Sequence, residues 1–188
     1  MKCTRLNFYP VLKTVNQMGK ITFITGGQRS GKSSYASQLA LKDNHNPIYL
    51  ATSRVWDEDH KKRIERHQQD RGNQWKTIEE EKHISQHDWQ NKTVLMDCVT
   101  LWLTNFFYDN NQDVEQSLNE AKKEIQRIKT QDSHFIIVSN ELGMGGHPNN
   151  LTQMKFNDLQ GWVNQFIAKH AEDVFLMVSG IPVKIKSN

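Results

Sequence analysis

Residues 26–33 read Gly26-Gly27-Gln28-Arg29-Ser30-Gly31-Lys32-Ser33, a complete G-x-x-x-x-G-K-[ST] loop. The apolar run 21–25 precedes this loop, and residues 33–41 follow it with a helical pattern. Glycines let the backbone turn so tightly that several N–H groups point at one phosphate, and the positive end of the following helix adds to the attraction. The stretch therefore predicts a phosphate-binding loop between a strand and a helix. Lys32 is expected to contact the β- and γ-phosphates of a nucleoside triphosphate, and Ser33 to ligate Mg²⁺.

Short apolar runs without alternation indicate strands that are buried on both faces of a sheet. Five such runs occur, at residues 21–25, 48–52, 93–96, 135–139 and 174–179, and a last one at 183–185 is expected to add an edge strand. Helical patterns lie between several of them, at residues 33–41, 59–69, 113–129 and 155–170. Strands that alternate with helices predict βαβ units. Together with the phosphate loop, they predict an α/β, P-loop NTPase-like three-layer fold with a mostly parallel sheet.

Length and composition narrow the class of protein. A chain of 188 residues suits one domain. Its 24 Lys and Arg and 21 Asp and Glu are interspersed, so charge alone does not suggest a nucleic-acid partner. Two cysteines, Cys3 and Cys98, without metal-ligand spacing fit a reducing compartment. Because no apolar stretch approaches the length of a membrane span and no signal peptide is evident, we expect a cytoplasmic protein.

Polar residues follow the predicted strands, at the edge where parallel sheets bind ligands. Asp97 ends the third strand, where it is expected either to hold Mg²⁺ as a Walker B carboxylate or to cap a helix or turn. Glu141 follows the fourth strand. It is expected to bind the metal through water, to act as a base toward an attacking hydroxyl, or to form an ion pair beneath the turn. His67 lies in a highly charged stretch, and a histidine there is more often a surface residue than a nucleophile.

Several motifs outside the phosphate loop, taken together, match the pattern of one known family. They are Ala51-Thr52-Ser53, Arg63-Ile64-x-x-His67 with Arg71, Trp75, Thr77 and Glu79, Asp97-Cys98-x-Thr100-Leu101-Trp102-Leu103-Thr104-Asn105, Asn140-Glu141-x-Gly143-Met144-Gly145, Phe156-x-Asp158, Asn164-Gln165, and residues 179–186. From about residue 20 to residue 186, the chain resembles the bifunctional adenosylcobinamide kinase/adenosylcobinamide-phosphate guanylyltransferases of cobalamin biosynthesis.

This resemblance implies two reactions and one shared site. A nucleoside triphosphate, GTP or ATP, phosphorylates the aminopropanol hydroxyl of adenosylcobinamide. GTP then transfers GMP through a guanylylated histidine, matched here by His67, to give adenosylcobinamide-GDP and pyrophosphate. The expected catalytic residues are His67, Lys32 and Glu141. The expected Mg²⁺ ligands are Ser33 and Asp97. The resemblance implies nucleotide contacts from Gly26, Gly27, Gln28, Arg29, Ser30, Gly31, Lys32, Ser33, Ala51, Thr52, Ser53, Gln68, Gln69, Asp70, Arg71, Glu79 and Asp97.

Two other functions fit the phosphate loop. A kinase of another small alcohol needs Lys32 and Asp97 but gives His67 no role, and a non-catalytic nucleotide switch needs a macromolecular partner. The resemblance also implies a homotrimer. The apolar residues in the stretch 100–107 suit either a subunit interface or the core.

The first 17 residues show no clear periodicity, and the first predicted strand begins only at Ile21. We therefore expect residues 1–17 to be a dispensable extension and residues 18–188 to form a single nucleotide-binding domain. A chain that begins at Met18 should fold and keep the thermal unfolding midpoint of the full chain, as measured by circular dichroism. An unfolded or aggregated truncated chain would contradict this expectation.

Overall fold

The computed structural model describes residues 18–54 and 74–187. Within these ranges the chain forms seven strands and four α-helices, with one short 3₁₀ helix at Ile84–Gln86. The elements are β1 Lys20–Gly26, α1 Lys32–Asp43, β2 Ile48–Ala51, β3 Lys76–Glu79, β4 Lys92–Asp97, α2 Val99–Asp109, α3 Val114–Lys129, β5 Ser133–Asn140, α4 Leu151–His170, β6 Asp173–Val178 and β7 Ile181–Ser187.

The strands of the described chain form one sheet in the order β3-β2-β4-β5-β1-β6-β7. All neighbouring pairs are parallel except β6 and β7, which are antiparallel. Alternate side chains of the central strands point to opposite faces. On one face they pack against α2, α3 and α4, and on the other against α1. This arrangement confirms the predicted α/β three-layer fold with a mostly parallel sheet, and β7 is the expected edge strand.

Helix α2 was not predicted, and it explains the apolar stretch 100–107. Trp102, Leu103, Phe106 and Phe107 are each at most 1% exposed and belong to the larger core cluster. These side chains are therefore core. The aromatic residues obscured the helical period, because the stretch is apolar on most of its circumference.

Strand β3 was also missed, because only Ile78 among its residues Lys76, Thr77, Ile78 and Glu79 is apolar. It pairs with β2 at the edge of the described sheet, where Ile78 is its one side chain that is not exposed. The predicted helix at residues 59–69 and the proposed extension at residues 1–17 lie outside the described residues. None of the described helices is both long and apolar enough to cross a membrane.

The sheet register brings the expected site residues to one edge. Gly26 at the end of β1 lies opposite Asn140 at the end of β5, and Asp97 at the end of β4 lies opposite Val138. The phosphate loop, Asp97 and Glu141 therefore lie at the ends of three neighbouring strands, on the carboxyl edge where open parallel sheets bind ligands.

Candidate active site

The phosphate loop is held against the turn between β6 and β7. Gly180 N donates a hydrogen bond of 3.0 Å to Ser30 O. Gly31 has φ of +92°, and a Cβ atom at this position would lie 3.1 Å from Gly180 Cα. At Gly26 a Cβ atom would lie only 2.7 Å from Met177 O. Glycine is thus required at both positions by close backbone contacts, and the loop conformation is fixed by the neighbouring strand and turn.

Lys32 opens helix α1 and turns back over the loop. Its residue is only 7% exposed, and Nζ donates to Gly27 O at 2.6 Å. Burial lowers the pKa of Lys32, while negative charge on Cys98 and Asp97 would oppose this shift. Burial also raises the pKa of Cys98 to about 11, so this thiol is neutral near pH 7 and Asp97 supplies the opposing charge. A partly desolvated ammonium group beside the loop is suited to a phosphate.

Asp97 and Ser33 are the two candidate Mg²⁺ ligands. Ser33 is exposed in the first turn of α1, and Asp97 is half-buried at the end of β4. Cys98, rather than Asp97, is the N-cap residue of α2. One hydroxyl and one carboxylate fit Mg²⁺, which takes few protein ligands and completes its shell with water and phosphate oxygens.

Glu141 lies directly beside the first glycine of the loop. Its backbone N donates to Gly26 O at 3.0 Å, and its Oε1 accepts from Gly143 N at 2.8 Å. Within residues 18–54 and 74–187 it forms no ion pair, so the expected alternative of an ion pair beneath the turn is not found there. Among the described residues only Oε1 of this half-buried carboxylate has a hydrogen-bond partner, so Oε2 is suited to accept a proton or hold a water molecule.

A polar network beneath Glu141 fixes the end of β5. Asn164 Nδ2 donates to Asn140 O at 3.1 Å, and Ser139 Oγ donates to Asn164 Oδ1 at 2.6 Å. Gln160 Nε2 adds a bond of 2.7 Å to Ser139 Oγ. Thr100 Oγ1 accepts from the Asn140 side chain at 3.1 Å. The strand end that precedes Glu141 is thereby tied to both α2 and α4.

The ends of β2 and β3 are held together by Asn105, a residue that we did not predict as functional. Asn105 is fully buried in α2, and its Nδ2 donates to Thr52 O at 2.7 Å and to Glu81 O at 2.9 Å. Thr52 Oγ1 also donates to Cys98 O at 3.3 Å. One amide therefore positions the segments that carry Ala51, Thr52, Ser53 and Glu79. The sequence signal that could have identified Asn105 is an amide among the mostly apolar residues of α2.

The remaining expected residues divide into two groups. Gln28 and Arg29 are exposed on the phosphate loop, where Arg29 has φ of +56°. Glu79 is exposed at the end of β3. The residues expected to carry the covalent chemistry and the adjoining contacts lie outside the described ranges: His67, Gln68, Gln69, Asp70 and Arg71.

Replacing Asn105 by alanine should weaken nucleotide binding, because Asn105 positions the segments that follow β2 and β3. The Asn105→Ala change leaves the buried Thr52 carbonyl without this donor and also removes the bond to Glu81 O, so we expect a loss of about 1–3 kcal/mol in the free energy of unfolding. We also expect the Kd for GTP to rise by about tenfold, which corresponds to about 1.4 kcal/mol. Denaturant unfolding and calorimetric titration measure the two effects.

Ser117→Ala is the matched control for this change. Ser117 is also fully buried, and its Oγ bonds to Asp113 O and Phe106 O, away from β2 and β3. This variant should lose stability while binding GTP normally. If Asn105→Ala bound GTP as tightly as the control, Asn105 would have no part in positioning the nucleotide site.

Comparison with known proteins agrees with this geometry. Residues 22–185 match the model of the family described as cobinamide kinase / cobinamide phosphate guanyltransferase. A bifunctional adenosylcobalamin biosynthesis protein CobU of Escherichia coli is 37% identical over 87% of this chain and 98% of its own length. The protein of the same name in Salmonella typhimurium is 34% identical over the same shares. A bifunctional adenosylcobalamin biosynthesis protein CobP of Pseudomonas aeruginosa is 32% identical over 87% of this chain and 95% of its own length.

The match covers every strand that carries a candidate residue, from β1 with the phosphate loop to β7. It also covers residues 55–73, which include His67. The chain therefore belongs to the cobinamide kinase / cobinamide phosphate guanyltransferase family.

Proposed function

We propose that this protein phosphorylates the aminopropanol hydroxyl of adenosylcobinamide and then transfers GMP from GTP to the new phosphate. The family to which the chain belongs is named for these two activities. The observation that carries the proposal is the common edge on which Lys32, Asp97 and Glu141 meet a phosphate loop of fixed conformation. Both reactions place a triphosphate in that loop and differ in which phosphorus is attacked.

In the kinase step the hydroxyl oxygen attacks the γ-phosphorus and the nucleoside diphosphate leaves. Glu141 is suited to accept the hydroxyl proton, because its carboxylate lies next to the loop and is oriented by Gly143 N. Lys32 leaves Gly27 O and neutralises charge on the transferred group. Ser33 and Asp97 would hold Mg²⁺, which supplies further charge neutralisation to the phosphates.

In the transferase step a ring nitrogen of His67 attacks the α-phosphorus of GTP, and pyrophosphate leaves. A phosphate oxygen of cobinamide phosphate then attacks the same phosphorus and displaces His67. A neutral imidazole is nucleophilic near pH 7, and the covalent intermediate divides one difficult transfer into two easier steps. Lys32 would stabilise the departing pyrophosphate from its place over the loop.

The nucleotide base is assigned to the β2 and β3 side of the site. Ala51, Thr52 and Ser53 end the neighbouring strand, and Glu79 has a carboxylate that suits the N1–H and amino group of guanine. Gln68, Gln69, Asp70 and Arg71 follow His67, and the Arg71 guanidinium suits a phosphate. The homotrimer and the cytoplasmic location remain predictions that follow from the resemblance and the composition.

One assay tests both steps. Protein is incubated with GTP, Mg²⁺ and adenosylcobinamide, and the products are identified by mass spectrometry. The wild type should give cobinamide phosphate, cobinamide-GDP and pyrophosphate. Lys32→Ala should lose at least about 100-fold in both rates, because both transition states lose the same cation. His67→Ala should still form cobinamide phosphate but no cobinamide-GDP, and α-labelled GTP should leave an acid-labile, base-stable label on the wild type and none on His67→Ala.

Two exposed residues away from the site provide controls. Lys42→Ala, at the end of α1, and His45→Ala, between α1 and β2, should behave as the wild type. Cobinamide-GDP formed by His67→Ala would contradict the transferase assignment and leave a kinase. Slow GTP hydrolysis that does not depend on cobinamide would instead indicate a nucleotide switch.

A further inference from the structure

A cavity of about 460 Å³ lies between α2 and the beginning of α4. Its lining combines aromatic rings with hydroxyl and carboxamide groups and includes no charged side chain: Thr104, Phe107, Tyr108, Asn150, Thr152, Gln153 and Phe156. None of the residues expected to bind the nucleotide or Mg²⁺ or to act in catalysis belongs to this lining. Its size is within the usual range for a small-molecule site.

The cavity is linked through helix α2 to the end of β5, which precedes Glu141. Thr104 Oγ1 donates to Thr100 O at 2.8 Å, one helical turn back in α2. Thr100 Oγ1 in turn accepts from Asn140 Nδ2 at 3.1 Å, and the next residue, Glu141, bonds to Gly26 of the phosphate loop. A short series of contacts therefore connects the cavity to Glu141.

Two carboxamide groups at the cavity have donors to spare. Gln153 Oε1 accepts from Asn149 N at 2.9 Å, and Asn150 Oδ1 accepts from Gln153 N at 2.8 Å. Their side-chain nitrogens have no partner among residues 18–54 and 74–187. The oxygens fix the position of both amides, and the NH₂ groups are left to meet acceptors on a ligand.

Aromatic rings form the apolar part of the lining. Phe107 makes edge contacts with Tyr108 and Phe156, with ring centroids 5.8 and 5.4 Å apart. Phe107 is buried, whereas Tyr108 is 51% exposed. A large aromatic surface at the mouth of the cavity suits an extended, mostly apolar ring system.

Three other cavities of the described chain differ from this one because charged side chains line them. One, on the outer side of α3 and α4, includes Lys122 and Lys169. The other two both include Lys20 and Asp43, at the opposite edge of the sheet from the phosphate loop. A ligand with neutral amide groups around an apolar ring is better matched by the uncharged cavity, since burying a charged side chain without a charged partner is unfavourable.

We propose that the uncharged cavity binds the carboxamide-bearing rim of the corrin ring, an inference that rests on the proposed function. Corrin side-chain amides accept hydrogen bonds from Gln153 and Asn150, and the ring contacts Tyr108. Because a whole corrinoid is larger than the cavity, the rest of the ring lies outside it. The aminopropanol arm then passes Thr100 and Asn140, so that its hydroxyl reaches Glu141.

The test compares Gln153→Leu and Tyr108→Ala with Gln165→Leu. Gln165 is a matched control because it is an exposed glutamine of the same helix that lines the charged cavity on the other side. We expect the KM for adenosylcobinamide in the phosphorylation step to rise by about tenfold in the first two variants, which corresponds to about 1.4 kcal/mol. The KM for the nucleotide should not change in any of the three.

A second measurement needs no variant. Hydrogen exchange of the wild type with saturating cobinamide should slow in peptides covering residues 104–109 and 150–157, and not in those covering 118–122. An unchanged corrinoid KM in both cavity variants, or protection only elsewhere, would overturn the inference. So would an equal rise in KM for Gln165→Leu.

Two further outcomes would separate a failure of this inference from a failure of the proposed function. If the cavity variants changed the assembly mass in light scattering but not the corrinoid KM, the cavity would be a subunit interface and the inference would be wrong. If the wild type did not phosphorylate adenosylcobinamide at all, the proposed function itself would fail. That result is separate from one in which the wild type is active and the cavity variants are unaffected.

Discussion

The close approach of the Gly31 and Gly180 backbones couples the phosphate loop to the β6–β7 turn. A side chain at residue 31 would meet Gly180, and Gly180 N is bonded to Ser30 O. The loop is therefore preorganised by a strand pair at the far edge of the sheet. Preorganised backbone donors bind an anion without the cost of ordering the loop at that moment. The positions of Lys32 and Ser33 follow from this constraint, because both residues open the helix that begins where the loop ends.

Around this fixed loop, buried amides set the positions of the other strand ends. Asn164 and Gln160 hold the end of β5 from α4, and Asn105 holds the ends of β2 and β3 from α2. Such amides are stabilising only when their partners are present, since an unpaired buried carbonyl is unfavourable. The helices thus have two functions. Their apolar sides form the core, and a few polar side chains align the carboxyl edge of the sheet, where we propose that the nucleotide and the acceptor hydroxyl meet.

The sequence predicted the features that depend on local pattern. The central strands, β7, and helices α1, α3 and α4 were foreseen, because their apolar runs and helical periods are clear. Helix α2 and strand β3 were not, because α2 is apolar on most of its surface and β3 has one apolar residue at an exposed edge. Lys32, Ser33, Asp97 and Glu141 lie at the carboxyl edge of the sheet, as the order of motifs predicted, and their roles in binding and catalysis stay predictions. Asn105 and Gly180 act through partners far away in the sequence, so an amide in the apolar stretch of α2 marks Asn105 as unusual without showing what it contacts.

The roles of the site residues depend on the triphosphate lying in the loop, and a crystal structure with Mg²⁺ and a GTP analogue that resists cleavage tests this most directly. We predict that Lys32 Nζ exchanges Gly27 O for phosphate oxygens and that backbone N–H groups of the loop lie about 2.7–3.2 Å from the phosphates. A triphosphate bound elsewhere on the protein, with Lys32 still bonded to Gly27 O, would contradict the account.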